Sequence, residues 1–285
     1  MASPHSRHAY SAVVVHDAAA ASSLFGRFGD VEVRLESDHV ATVEIQRPPS
    51  NFFDTVLIDS LADAYEGLDA TSSCRAIVLC SEGKHFCAGA DFSGRSVGTP
   101  GLDPLLSAKD LYRAAARLFD ARTPVIAAIQ GAAVGGGLGV ACSADFRVAS
   151  SQARFAANFA RLGFHHGFGL TVTLPRIVGQ QRALELLYTG RRITGDEAAS
   201  IGLCDRVAAP ESLRDAAHAL AAEIGRSAPL AVRSIRATMR ADLAASFRAA
   251  TDRELDEQHR LRATADFAEG IRASAERRDP QFEGR

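Results

Sequence analysis

The stretch Pro124-Val-Ile-Ala-Ala-Ile-Gln-Gly131-Ala-Ala-Val-Gly135-Gly-Gly-Leu-Gly139-Val-Ala-Cys-Ser-Ala144 carries no charge. Its length would span a bilayer, but Gln130 and five glycines interrupt it. It reads instead as a buried strand over Pro124–Ile129, a glycine-rich turn, and a helix that starts near Leu138. Backbone N–H groups at such a helix start can hold developing negative charge. The cluster does not fit GxGxxG, because Cys142 stands where the third glycine should be. No Walker lysine is present either, since Gly83-Lys84 is followed by His85.

Working outward, Val31, Val33 and Leu35 alternate with polar residues, and Val43 and Ile45 repeat the pattern after Ser37-Asp38, which predicts a hairpin. Leu57, Ile58, Leu61, Tyr65 and Leu68 form a helical stripe behind Asp54-Thr55, a plausible N-cap. Arg75–Cys80 reads as a second buried strand and Phe146–Val148 as a third. Strands alternating with helices place the first two thirds in the α/β class. Beyond about residue 180 the pattern is helical: 181–189 ending at Gly190, a capping-box helix from Thr194 to Gly202, then 211–224, 230–240 and two segments between 247 and 277. These tail helices are rich in Ala and Arg and thinly apolar, so they need another surface, either the core or a second subunit. The expected division is a tail over 1–28, a core over 29–208 and a helical region over 209–285.

The chain has 285 residues, 47% hydrophobic and 23% charged, with a formal charge of −2. That is the balance of a folded globular protein with no net basic field for nucleic acid or a membrane surface. Residues 1–28 match no secretory signal. Cys74, Cys80, Cys87, Cys142 and Cys204 are odd in number and have no zinc-ligand spacing, as expected of reduced thiols in a cytoplasmic protein without a metal.

Two further motifs bear on chemistry. Gly94-Arg-Ser96-Val-Gly98 matches the GxSxG string of serine hydrolases, but it runs into Thr99-Pro100-Gly101, which is poor ground for the helix a nucleophile elbow needs. A loop is expected there and no labelling of Ser96 by a fluorophosphonate. Gly83-Lys-His-Phe-Cys-Ala88-Gly89-Ala90-Asp91 reads as a strand exit with small residues around a free amide.

Taken together, Phe86-Cys-Ala-Gly-Ala-Asp91 and Pro124–Gly131 with Gly135-Gly-Gly137 resemble the crotonase superfamily, the enoyl-CoA hydratase/isomerase group. The resemblance continues through Arg47-Pro48, Ala144-Asp145, Leu174-Pro175-Arg176-Ile-Val-Gly179, Thr189-Gly190-Arg191-Arg-Ile-Thr194, Ala198–Leu203 and Asp266-Phe-Ala-Glu-Gly270-Ile271. It implies an α/β spiral of ββα turns with a C-terminal helical region that trimerises, often as a dimer of trimers. It also implies an acyl-CoA substrate, no cofactor beyond its CoA moiety, and a thioester enolate held by two backbone N–H groups, mapped onto Ala88 and Gly136. Pro49, Phe53, Lys84, Ala90, Asp91, Gly135 and Phe159 are then expected to bind substrate.

The chain departs from the family's hydratases, which carry two glutamates: Gly139 and Phe159 stand in those places. One positioned acid or base contributes ~10²–10⁴-fold, so efficient hydration of a 2-enoyl-CoA is not expected. Isomerisation, C–C or thioester hydrolysis and decarboxylation are the preferred chemistries. His165 and His166 are candidates to move the proton, the other reading being that they hydrogen-bond backbone in a tight loop. His85 reads as structural, and Asp91 and Asp145 as structural or ligand-positioning. Phe52, Phe53, Phe159, Phe164 and Phe168 suggest an apolar acyl pocket or core. The reading from another class is a non-catalytic acyl-CoA-binding or scaffold protein.

Overall fold

The computed structural model describes residues 23–91 and 104–285. β1 (Ser23–Phe28), β2 (Val31–Leu35) and β3 (Val40–Ile45) form an antiparallel meander. The stretch read as a tail therefore ends earlier than expected, because Ser23–Phe28 pairs with β2. Asp54 caps α1 (Thr55–Asp69) by accepting the Leu57 N–H at 2.8 Å, and the buried face is the predicted stripe. β4 (Ala76–Ser81), α2 (Pro104–Asp120) and β5 (Val125–Ile129) follow. β6 (Ala132–Val134), α3 (Gly136–Ser143) and β7 (Phe146–Ser150) complete the uncharged run and the next strand.

After β8 (Arg154–Ala156) come α4 (Leu170–Val178), α5 (Gln180–Thr189), β9 (Ile193–Thr194), α6 (Gly195–Ser200) and β10 (Arg206–Ala208). The tail contains α7 (Leu213–Gly225), α8 (Pro229–Met239), α9 (Leu243–Arg262) and α10 (Ala265–Glu276). The main sheet has the order β1-β2-β3-β4-β5-β7-β10, parallel from β3 onward, and β6-β8-β9 form a second, smaller sheet. No helix among the described residues is long and apolar enough to cross a membrane.

The parallel strands are buried on both faces, which explains their unbroken apolar runs. One face meets α1; the other meets Leu213, Ala217, Leu220 and Ala221 of α7. α8 buries no residue and is held through cations instead. Asp145 accepts the Val125 N–H and pairs with Arg236 and Arg240, each at 2.9 Å, with all three side chains largely out of solvent. Asp145 is thus a structural anchor between the sheet and the helical tail. Breaking such a group strands buried charge.

A loop from Gly163 to Gly169 is pinned by the fully buried Glu254 of α9. Its carboxylate accepts the Gly169 N–H, the Thr171 N–H and the Thr171 hydroxyl, at 2.8, 3.0 and 2.6 Å. It thereby satisfies the first turn of α4, whose cap position Gly169 has no side chain. Because the single Thr171 proton goes to Glu254, the His166 Nε2 2.8 Å away must donate to that hydroxyl oxygen. Burial, helped by the adjacent His165, lowers the His166 pKa to about 4, so the ring is neutral and forms no ion pair with Glu254.

This has a consequence for stability. An unfolded histidine titrates near 6.5, while folded His166 stays neutral down to about pH 4. Between those values the unfolded chain binds the extra proton, so stability falls as pH falls through that window and is unaffected above it. In urea titrations at pH 7 and pH 5, the His166→Gln variant should lose about 2 kcal/mol less than wild type. An equal loss in both would contradict a neutral buried ring.

Candidate active site

The site forms where two strand exits are zipped together. The Cys87 N–H donates to the Ala132 carbonyl at 2.9 Å and the Val134 N–H to the Cys87 carbonyl at 3.1 Å, a parallel bridge that extends the β6 sheet. On the other side of β6 the Gly135 N–H donates to the Ala156 carbonyl. The first exit is braced further by two side-chain amides. Asn51, fully buried, donates to the carbonyls of Glu82 and His85, and Gln130 also donates to the His85 carbonyl. Close approach of α3 requires a glycine at 137, where a Cβ would stand 2.1 Å from the Cys87 carbonyl oxygen.

Between these exits lies a cavity of about 810 Å³, with α2, α9 and α10 on its far walls. Ala88, Gly89, Ala90, Gly135 and Gly136 all line it. The Ala88 N–H, however, donates to the Ser50 carbonyl at 2.9 Å and is not available to a ligand. This corrects the sequence mapping. The amide of Ala90, two residues on, has no hydrogen bond among the described residues, and neither does that of Gly136 at the start of α3. The pair that can hold an oxyanion is Ala90 with Gly136.

Of the other expected residues, Phe53, Asp91 and Phe159 line the cavity. Pro49 and Lys84 are exposed and lie outside its lining. His165 and His166 do not line it either, although their neighbours Gly167 and Phe168 do. The two imidazoles stack on each other with centroids 4.1 Å apart, and His165 Nδ1 donates to the His166 carbonyl. They serve the loop, and a proton-shuttle role is not supported. Asp145 is likewise outside the cavity. Gly94–Gly98, with Ser96, lies outside the described residues.

Phenyl rings pack around both Gly139 and Phe159. A Cβ on Gly139 would lie 2.6 Å from both Cβ and Cδ1 of Phe168, so that ring excludes any side chain at 139. Phe53 meets Phe168 edge-on at 5.4 Å, and Phe159 meets Phe164 in the same way at 5.4 Å. The titratable lining groups include His85, Asp91 and Tyr112. His85 Nδ1 accepts the Ala132 N–H, and burial together with Lys84 lowers its pKa. The Tyr112 hydroxyl donates to Gln258 and accepts from the Phe168 N–H, and burial pushes its pKa far up, so it stays protonated.

Leu111, Tyr112, Gln258 and Arg262 line the cavity without having been singled out in the sequence. They come from α2 and α9, far apart in the chain, and share no motif. Metal-ligand spacing occurs in one group among the described residues, Glu36, Asp38 and His218, none of which lines the cavity.

Comparison with known proteins agrees with this geometry. A provisionally named enoyl-CoA hydratase/isomerase of Bacillus subtilis (strain 168), YngF, is 34% identical over 253 residues, covering 88% of this chain and 96% of its own. The 1,2-epoxyphenylacetyl-CoA isomerase of Escherichia coli (strain K12) is 30% identical over 250 residues, covering 86% and 95%. The crystal structure of an enoyl-CoA hydratase/isomerase from Pseudoalteromonas atlantica T6c superposes with a TM-score of 0.77 at 29% identity, covering 89% of this chain and all of that one. The sequence profile of the enoyl-CoA hydratase/isomerase family matches residues 36–285. With its two sheets, helical tail and paired strand exits, the chain belongs to the enoyl-CoA hydratase/isomerase family of the crotonase superfamily.

Proposed function

We propose that the protein binds an acyl-CoA and holds its thioester oxygen as an enolate between the Ala90 and Gly136 amides. The observation that carries this reading is two N–H groups, without a partner among the described residues, on the lips of one apolar cavity. A basic groove adjoins it, lined by Arg161, Arg191, Arg192, Arg277 and Arg278, which suits the phosphates of CoA. No cofactor beyond the CoA moiety is required by the reading, and five buried free cysteines fit a cytoplasmic setting.

The reaction class favoured is one that forms the enolate without a positioned carboxylate base. Loss of CO₂ from an α-carboxyacyl-CoA, a malonyl-type thioester, does so: the bond between the α-carbon and the carboxylate breaks and its electron pair passes into the enolate. A proton from water then closes the α-carbon, with Asp91 or His85 of the cavity lining as relay. The phenyl rings at the glutamate positions also favour a second reading, a protein that binds acyl-CoA without turning it over. The expected assembly is a homotrimer or a dimer of trimers. Leu230, Ile235 and Met239 of α8 are 82%, 62% and 77% exposed, and they supply an apolar face for it.

Two experiments test these proposals. In D₂O with a panel of acyl-CoAs, mass spectrometry should show an α-carboxyacyl-CoA losing CO₂ and gaining one α-deuterium, while a 2-enoyl-CoA is hydrated at most sluggishly. Bound but unchanged thioesters throughout would establish the binding protein, and efficient hydration would overturn the assignment of chemistry. Light scattering should give an oligomeric mass for wild type and a lower one for Leu230→Glu combined with Met239→Glu. A monomeric wild type would contradict the proposed assembly.

A further inference from the structure

The arginines of α9 divide into two kinds. Arg248, Arg253 and Arg260 each pair with a carboxylate at the surface. Arg262, the last residue of the helix, does not. It lines the acyl cavity, with Cζ over the Phe164 ring at 5.5 Å from the centroid. Among the described residues its guanidinium forms no ion pair and no hydrogen bond. The residue as a whole remains exposed to solvent, while partial burial of the guanidinium lowers its pKa from the ordinary value, Tyr112 acting the other way.

The groups around it sharpen the contrast. Tyr112 and Gln258, the polar neighbours on the same wall, satisfy each other, and Gln258 also donates to the His165 carbonyl. Arg262 is therefore left with a full set of planar donors facing a cavity walled by phenyl rings. The rings also give a path to it. Phe159 Cζ lies 3.7 Å from where a Cβ on Gly135 would be, next to the oxyanion amide of Gly136. Phe159 touches Phe164, and Phe164 carries Arg262. An acyl chain running from the amides along these two rings ends at the guanidinium. A purely hydrocarbon acyl group offers that cation no partner, whereas a carboxylate would take up its fork of donors bidentately.

We propose that Arg262 recognises a carboxylate at the far end of the acyl chain, so that the preferred ligands are CoA monothioesters of dicarboxylic acids. This rests on the acyl-CoA reading but not on the reaction class. It makes Arg262 a specificity determinant that never touches the reacting atoms.

The test is isothermal titration of adipyl-CoA and hexanoyl-CoA, which have equal chain length and no α-carboxyl group to lose, against wild type and Arg262→Met. Wild type should bind adipyl-CoA roughly 10- to 100-fold more tightly than hexanoyl-CoA. Arg262→Met should abolish that preference, the loss falling on adipyl-CoA far more than on hexanoyl-CoA, whereas loss of a merely structural arginine would weaken both thioesters alike. Equal affinities in wild type, or a preference that survives in Arg262→Met, would overturn the proposal. Failure of either thioester to bind wild type would instead overturn the acyl-CoA reading beneath it.

Discussion

The parallel bridge between Cys87 and Ala133 is the constraint on which the rest of the site depends. It joins the exit of β4 to β6, and β6 in turn is joined to β8, so two loops separated by about 45 residues share one sheet. Only then do the amides of Ala90 and Gly136 face the same cavity. Neither loop could hold such an arrangement alone, because an unpaired backbone amide has no preferred direction until its neighbours are fixed. Asn51 and Gln130, both bonded to the His85 carbonyl, make the exit rigid, which preorganised stabilisation of an oxyanion requires.

Around that fixed pair the cavity wall is built largely of phenyl rings. Gly139 and Phe168 are one feature: the ring fills the volume that a residue 139 side chain would need. Oxyanion stabilisation and acid–base catalysis are separable contributions to a barrier. A site that keeps the first without the carboxylates is suited to reactions in which the enolate arises by bond cleavage, or to binding alone.

Much of the fold was legible from local pattern. The 31–45 hairpin, the buried runs at 76–81 and 125–129 and the cap at Asp54 all depend on neighbours in sequence. So does the small-residue character of both strand exits. The failures share a different origin. Ala88 and Ala90 are equivalent in composition and spacing, and only the position of the Ser50 carbonyl shows which amide is taken. His165 and His166 sit in a loop that borders the cavity, yet Glu254, 88 residues beyond His166, sets the direction of the His166 ring through Thr171, and His165 turns to the His166 carbonyl. The walls from α2, α9 and α10 carry no periodic signal for facing a ligand, since burial against a cavity and burial against a core look alike in sequence. Ser23–Phe28 carries little strand signal of its own, and its place is set by pairing with β2.

The most direct test is a crystal structure with a non-reactive acyl-CoA. The account predicts the thioester oxygen within ~2.7–3.1 Å of both the Ala90 and Gly136 nitrogens, with the acyl chain against Phe159 and Phe164. A thioester oxygen bound away from those two amides, or an Ala88 N–H released from Ser50 to meet it, would contradict the account.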